Sequence, residues 1–175
     1  MRKYIVCGLL AAASLLAQRP SGFRGEFIDQ LNATEKKYIQ LAEATPQEKY
    51  TWRPADGVRS MSEVFMHIVG ANYMIPSFLG SKMPADFSRD MEKKVTEKAK
   101  VIDWLKKSFE NVRQLAMNGK DEDFEKTVKL FGSMTMTQRA SYLLIANHMH
   151  EHLGQQIAYA RMNGVVPPWS AGGRE

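Results

Sequence analysis

The chain has 175 residues, 44% of them hydrophobic and 25% charged, enough for one globular domain with its own core. A formal net charge of +5 is mild, and no basic run is interleaved with aromatics, so no nucleic-acid partner is expected. The only cysteine, Cys7, leaves the rest of the chain without a disulfide or a thiol nucleophile.

Residues 1–18 read as a signal peptide and 19–175 as the working domain. Arg2 and Lys3 form a basic start, Tyr4 to Ala17 is an apolar run of 14 residues, and Gln18 follows. Such a run is short for a membrane span and suits a secretory leader, so export to the periplasm or beyond is expected. The rival reading is an uncleaved N-terminal anchor. Cys7 comes too early, and without the small residue a lipoprotein cysteine needs before it. Removing Arg2 and Lys3 leaves 22 basic against 19 acidic residues, a net of +3. After the leader no membrane segment is expected.

The domain reads as helices. Phe23, Phe27, Leu31, Thr34, Tyr38 and Leu41 recur at steps of four and three, one apolar stripe on a first helix that Thr45-Pro46 stops. Residues 47–60 carry Trp52-Arg53-Pro54 and Asp56-Gly57, which is turn chemistry. Ser60 or Ser62 can cap a second helix running to about Leu79, with Glu63 in its first turn. Glu63, Val64, His67, Ala71, Met74 and Phe78 share a face there. Pro76 should displace the Asn72 carbonyl and bend the helix. Residues 80–90 read as a loop.

A third helix is expected from near Thr96 to Asn118, with Val101, Trp104 or Leu105, Phe109, Val112 and Leu115 inward. Asn118-Gly119 would end it through a left-handed cap. Within the weakly patterned 120–136, Thr127 to Phe131 alternates enough for a short extended stretch. Thr135 or Thr137 then caps a fourth helix that reaches Asn163-Gly164. Val165 to Trp169 leaves extended and should lie back on the core through Trp169. The fold class is all-α, a four-helix bundle with two long crossover connections.

The four histidines divide unevenly. His67 stands alone on the second helix, and His148, His150 and His152 crowd the fourth. Four residues turn about 40° past a full circle, so His148 and His152 stand one above the other. Leu144, His148, His152, Gln155, Tyr159 and Met162 fall within about 80° of one another, which aims the pair into the bundle, whereas His150 turns about 200° away. His67 likewise interrupts an apolar stripe. One inward imidazole is ordinarily a hydrogen-bonded core residue. An i, i+4 pair with a third on another helix points instead to a divalent metal on His67, His148 and His152. All-nitrogen ligation suits Zn or Ni, with Fe, Mn or Cu possible. Three protein ligands leave a position for water or substrate, the pattern of a catalytic site.

Two side chains are candidate catalytic helpers. Glu63, one turn before His67, reads as a fourth ligand, an orienting group or a general base, and equally as a partner of the helix dipole. Gln155, one turn after His152, could hold a water or substrate oxygen, or be polar filler. Glu151 sits at the edge of the face and suits solvent, and Met149 is read as a gap-filler, not a copper ligand. A di-iron centre would want paired Glu-x-x-His motifs and covalent haem Cys-x-x-Cys-His; both are absent, as is a glycine-rich phosphate loop.

Several stretches together resemble the DinB-like superfamily of four-helix-bundle proteins, a group that includes thiol-dependent S-transferases and maleylpyruvate isomerases. They are Glu48-Lys49-Tyr50-Thr51-Trp52-Arg53-Pro54-Ala55-Asp56-Gly57-Val58-Arg59-Ser60, the helix of His67-Ile68, Asn147 to Gln155, and Gly164-Val165-Val166-Pro167-Pro168. The resemblance spans about Phe23 to Trp169 and implies that His67, His148 and His152 ligate a divalent metal, with His150 off the site. It matches Gly154-Gln155 to a Gly-Gln following the last histidine, where the glycine lets a neighbouring helix approach.

The function expected is that of an exported metal-dependent enzyme acting on an unknown small molecule. It is either a hydrolase activating water or a transferase activating a thiol, and the expected compartment favours the hydrolase. The alternatives are a non-catalytic periplasmic metal-binding module and a metal-free interaction surface. A homodimer through a helical face is possible.

Overall fold

The computed structural model describes residues 20–172; the expected signal peptide lies outside them. Helix α1 (Gly22–Ala44) buries Phe27, Leu31, Thr34, Tyr38 and Leu41 as its periodicity predicts, with Phe23 half-buried. It ends where expected, the Thr45 amide donating to the Leu41 carbonyl ahead of Pro46. After a 3-10 turn at Gln47–Lys49, the buried Tyr50 hydroxyl donates to the Ala42 carbonyl (2.8 Å), folding the linker onto α1.

Helix α2 (Met61–Ser77) starts on a capping box. The Ser60 hydroxyl accepts from the Glu63 amide, and the Glu63 carboxylate accepts from the Ser60 amide at 2.7 Å. It is the most enclosed helix: only Glu63, His67, Gly70, Met74 and Ser77 escape full burial. Those positions are spaced 4, 3, 4 and 3, so they form one open strip down an otherwise buried rod. Pro76 cannot donate to Asn72, and the freed carbonyl instead accepts from Asn111 Nδ2 of the neighbouring helix (2.9 Å).

Just beyond the stretch read as a loop, one short helix that no sequence pattern indicated, α3 (Met91–Lys94), docks on α2. Its four residues are too few to show a periodicity. Helix α4 (Lys98–Asn118) buries Val101, Trp104, Leu105, Phe109 and Val112, with Ala116 fully buried and Leu115 only half so. The expected left-handed cap is not formed, because Gly119 has φ −65° and extended ψ. The glycine answers to space instead: a Cβ would stand 3.3 Å from the Tyr142 hydroxyl and 3.2 Å from the Leu115 carbonyl.

The expected extended stretch is one arm of an antiparallel hairpin, β1 (Thr127–Leu130) with β2 (Met134–Thr137), in register Thr127 opposite Thr137 and Leu130 opposite Met134. Phe131 and Gly132 both take positive φ in the turn, which is why so short a pair closes without an Asn-Gly signal. Thr137 caps α5 (Gln138–Met162) by accepting from the Ala140 amide, and Gly164 at φ +74° follows its end. There the Val165 amide reaches back to the Ala160 carbonyl (2.9 Å), a left-handed stop. The tail turns through Pro168–Ser170, and Trp169 packs on the core with Lys37 over its ring.

Among the described residues the structure is mostly helical, and four long helices pack in a ring: α1 on α4, α4 on α2, α2 on α5, and α5 on α1. The two helices that carry histidines are therefore direct neighbours. The Tyr38 hydroxyl donates to the Met149 carbonyl (2.7 Å) and ties α1 to α5 across the core. Among the described residues no helix is long and apolar enough to cross a membrane.

Candidate metal centre

The core-facing stripe of α5 runs through Tyr142, Ile145, Met149, Leu153, Gln156 and Ala160. The expected inward stripe was centred one residue away, on Leu144, His148, His152, Gln155, Tyr159 and Met162. Of these only Tyr159 is buried, and Met162 is 64% exposed. The histidines stand at the edge of the buried stripe, half-buried where α5 meets the open strip of α2. A helical wheel finds residues that share a face, but a mixed stripe does not say which edge of it the neighbours cover.

His67, His148 and His152 meet there. One ligand atom from each can be chosen so that all lie within 4.8 Å of one another. His67 Nε2 and His148 Nε2 are 3.2 Å apart, and the three ring centroids are 4.6–5.1 Å from each other. Two nitrogens bound to one tetrahedral cation at about 2.0–2.1 Å stand roughly 3.3 Å apart, so this spacing fits two ligands of one ion.

The rings are also oriented for it. His67 Nδ1 lies 3.1 Å from Glu92 Oε2, and a carboxylate can only accept, so Nδ1 carries the proton and Nε2 keeps its lone pair. Glu92 is itself held by Arg59 Nε at 2.7 Å. His152 Nδ1 donates to Gln155 Oε1 (2.8 Å), whose amide nitrogen donates to the Tyr159 hydroxyl (2.9 Å). A second hydrogen bond that fixes the tautomer and leaves Nε2 bare is the usual support of a histidine ligand.

The charge state agrees. Burial pushes the His148 imidazole down to about 4, helped by His152, His67 and Arg59. Burial also lowers His67, the Arg59 charge adding to it against the opposing pull of Glu92. The His67–Glu92 contact is thus a hydrogen bond from a neutral ring at neutral pH. Neutral rings at His67 and His148 are what a cation requires of its ligands. A divalent metal could be held by this group.

Other candidates have different roles. Both Glu63 oxygens are engaged, Oε2 by the Ser60 amide and Oε1 by Arg53 (3.1 Å). Burial raises that carboxyl, but the Ser60 amide and Arg53 outweigh it and hold it below the ordinary carboxylate value. Gln155 touches His152 directly. His150 is exposed, its Nδ1 2.8 Å from the Ala146 carbonyl, and Glu151 is also exposed, as expected. Met149 is core. Sequence reasoning missed Glu92 and Arg59. Glu92 lies 25 residues from its histidine on a helix of one turn, and no spacing rule connects them.

Beside the histidines lies a cleft of about 690 Å³, with His67 and His148 in its wall. It follows the open strip of α2 past Gly70 and Met74 and is roofed by Phe87 from the α2–α3 connection and by Met134 from the hairpin. Its lining is mainly apolar.

The DinB superfamily model matches residues 30–156, a stretch that takes in all three clustered histidines and everything between them. The chain belongs to the DinB superfamily. A crystal structure of a DinB-like protein from Bacillus cereus aligns at TM-score 0.73 and 20% identity, covering 83% of this chain and 95% of that one. A DinB-like protein from Bacillus subtilis aligns at TM-score 0.63 and 17% identity over 79% and 92% of the two chains. A conserved protein from Enterococcus faecalis gives 0.63 at 11% identity over 82% and 98%. No curated protein matches the sequence. At such identities the solved structures speak for the fold of this DinB protein, while activity has to be argued from its site.

Proposed function

We propose that this DinB protein is a four-helix bundle that holds a divalent cation on His67, His148 and His152 and works as a metal-dependent enzyme on a small molecule. The observation that carries it is the convergence of three imidazoles with two of the Nδ1 protons committed elsewhere. All-nitrogen donors favour zinc or nickel over harder ions. Bound there, the cation would supply a Lewis acid able to lower the pKa of a water or thiol. Glu92 and Arg59 hold His67, and Gln155 with Tyr159 holds His152, so these are positioning residues. Glu63 aligns the start of α2 through its capping box, with Arg53 holding its other oxygen. The apolar cleft excludes water from one side of the site and gives a substrate somewhere to lie, which favours an enzyme over a closed storage or structural ion site.

The reaction class proposed is hydrolysis or thiol transfer, with hydrolysis preferred for a protein exported by the leader expected at residues 1–18. A homodimer is part of the same reading. The test is elemental analysis of the purified protein and of its His148→Ala and His152→Ala variants, with each screened on ester, amide and thiol-transfer substrates. Stoichiometric zinc or nickel, lost together with turnover in the variants, is expected. Activity that survives both substitutions unchanged would rule out the metal-dependent mechanism. Tight metal without turnover would leave a binding module in its place. Fractionation of cells and sedimentation of the protein test export and dimerisation.

A further inference from the structure

The cleft differs in character along its length. At the histidine end its charges are matched, Arg59 being paired with Glu92. Further along, Arg89 lines the wall with its guanidinium against the Met74 sulfur at 3.7 Å. Among the described residues Arg89 has no carboxylate partner. Its sequence neighbour Asp90 is taken by Lys94 and Ser88, and Glu92 by Arg59 and His67. A cation laid over a thioether beside an apolar cleft, with the nearby acids committed elsewhere, is placed to receive an anion from outside the chain.

Met74 is seven residues beyond His67 on the same open strip of α2, a rise of roughly 10 Å. Between them the floor is Gly70 and Ala71, with Phe87 above and Leu144 also in the lining. Gly70 keeps the floor low: a Cβ there would already touch the Phe87 ring at 3.6 Å. Beyond Met74 the cleft ends among Phe78, Met83, Phe131 and Met134, all exposed by 36% or more. Its volume lies within the roughly 300–1,000 Å³ of small-ligand sites.

We infer that the substrate is an elongated apolar monoanion, its carboxylate held by Arg89 and its reacting group presented to the three histidines about two helical turns away. The inference rests on the metal-enzyme reading for the reacting end, whereas its anionic end depends on Arg89 and the cleft alone. An apolar body without the anion would bind but be poorly oriented, and a short polar acid would leave the cleft walls wet.

The experiment is calorimetric titration of the chelator-treated protein with decanoate, decanol and decyltrimethylammonium below their micelle concentrations, with metal content measured in parallel on untreated protein. Decanoate should bind about tenfold more tightly than decanol, the scale of one charge-assisted contact, and the ammonium least of all. Arg89→Gln should reduce decanoate to the level of decanol without changing decanol or the metal content. Gly70→Leu should weaken both ligands by filling the floor. Equal binding of decanoate and decanol, or a decanoate affinity indifferent to Arg89→Gln, overturns the inference while a metal-loaded protein leaves the enzyme reading standing. Carboxylate selectivity in a protein that holds no metal supports the anion site and removes the reading of the histidines instead. Absence of all three ligands, with a dimer that Phe131→Ser disperses, would make the cleft mouth a self-association face and overturn the substrate inference.

Discussion

Replacing Glu92 with alanine isolates the support of the metal centre from the ligands themselves. The substitution removes the acceptor at 3.1 Å from His67 Nδ1 and leaves all three imidazoles in place. Loss of such an orienting partner typically costs about 10- to 100-fold in metal affinity. Here the side chains of His67 and Glu92 retain 25% and 27% exposure, so water can partly replace the carboxylate. The loss should therefore fall near the lower end, about tenfold or 1.4 kcal/mol. Arg59, freed of its partner, would also leave an unmatched positive charge beside the site, which works in the same direction. Zinc affinity measured by competition with a chromophoric chelator at pH 7.5 gives the number, with His67→Ala as the limiting case and Arg59→Met as a control that keeps the carboxylate. Unchanged affinity in Glu92→Ala, alongside a large loss in His67→Ala, would refute the claim that the carboxylate orients the ring. Unchanged affinity in both would refute the site.

Asn111 and Pro76 form a second test. Asn111→Ala should strand the Asn72 carbonyl and cost about 1–3 kcal/mol in urea unfolding. In a Pro76→Ala background, where residue 76 regains an amide able to reach Asn72, the penalty should shrink; equal penalties in both backgrounds would show that the proline is not what makes Asn111 necessary. The capping box gives a pH test. Because the Glu63 carboxyl is held below its ordinary value of 4.5, its charge stabilises the fold fully above that value, and the contribution fades as pH falls through the folded-state value. Glu63→Gln keeps the box but removes the charge, so its deficit, roughly 0.5–1 kcal/mol at pH 7, should close in acid. A deficit that does not change with pH would mean that the charge contributes nothing.

Much of this DinB protein is legible in one dimension because it is built from local rules. The four long helices, the stops at Thr45-Pro46 and Gly164, and the Thr137 cap follow from periodicity and terminal chemistry that operate within a few residues. The His148–His152 pair is of that kind, since a step of four stacks two rings whatever surrounds them. His67 entered the same set because it interrupts an apolar stripe on its own helix, and the DinB resemblance implied the same ligand. What required the tertiary structure is everything that depends on which elements become neighbours. Packing α2 against α5 is what gathers three rings, and docking a helix of one turn is what brings Glu92 to His67. The same packing decided that the histidines edge a cleft instead of sitting in the core, and that Gly119 serves the Tyr142 hydroxyl instead of a left-handed cap. A residue pattern sets which face is shared along a helix; the edge of that face left open is set by where its neighbours stop covering it, a property of the assembled fold.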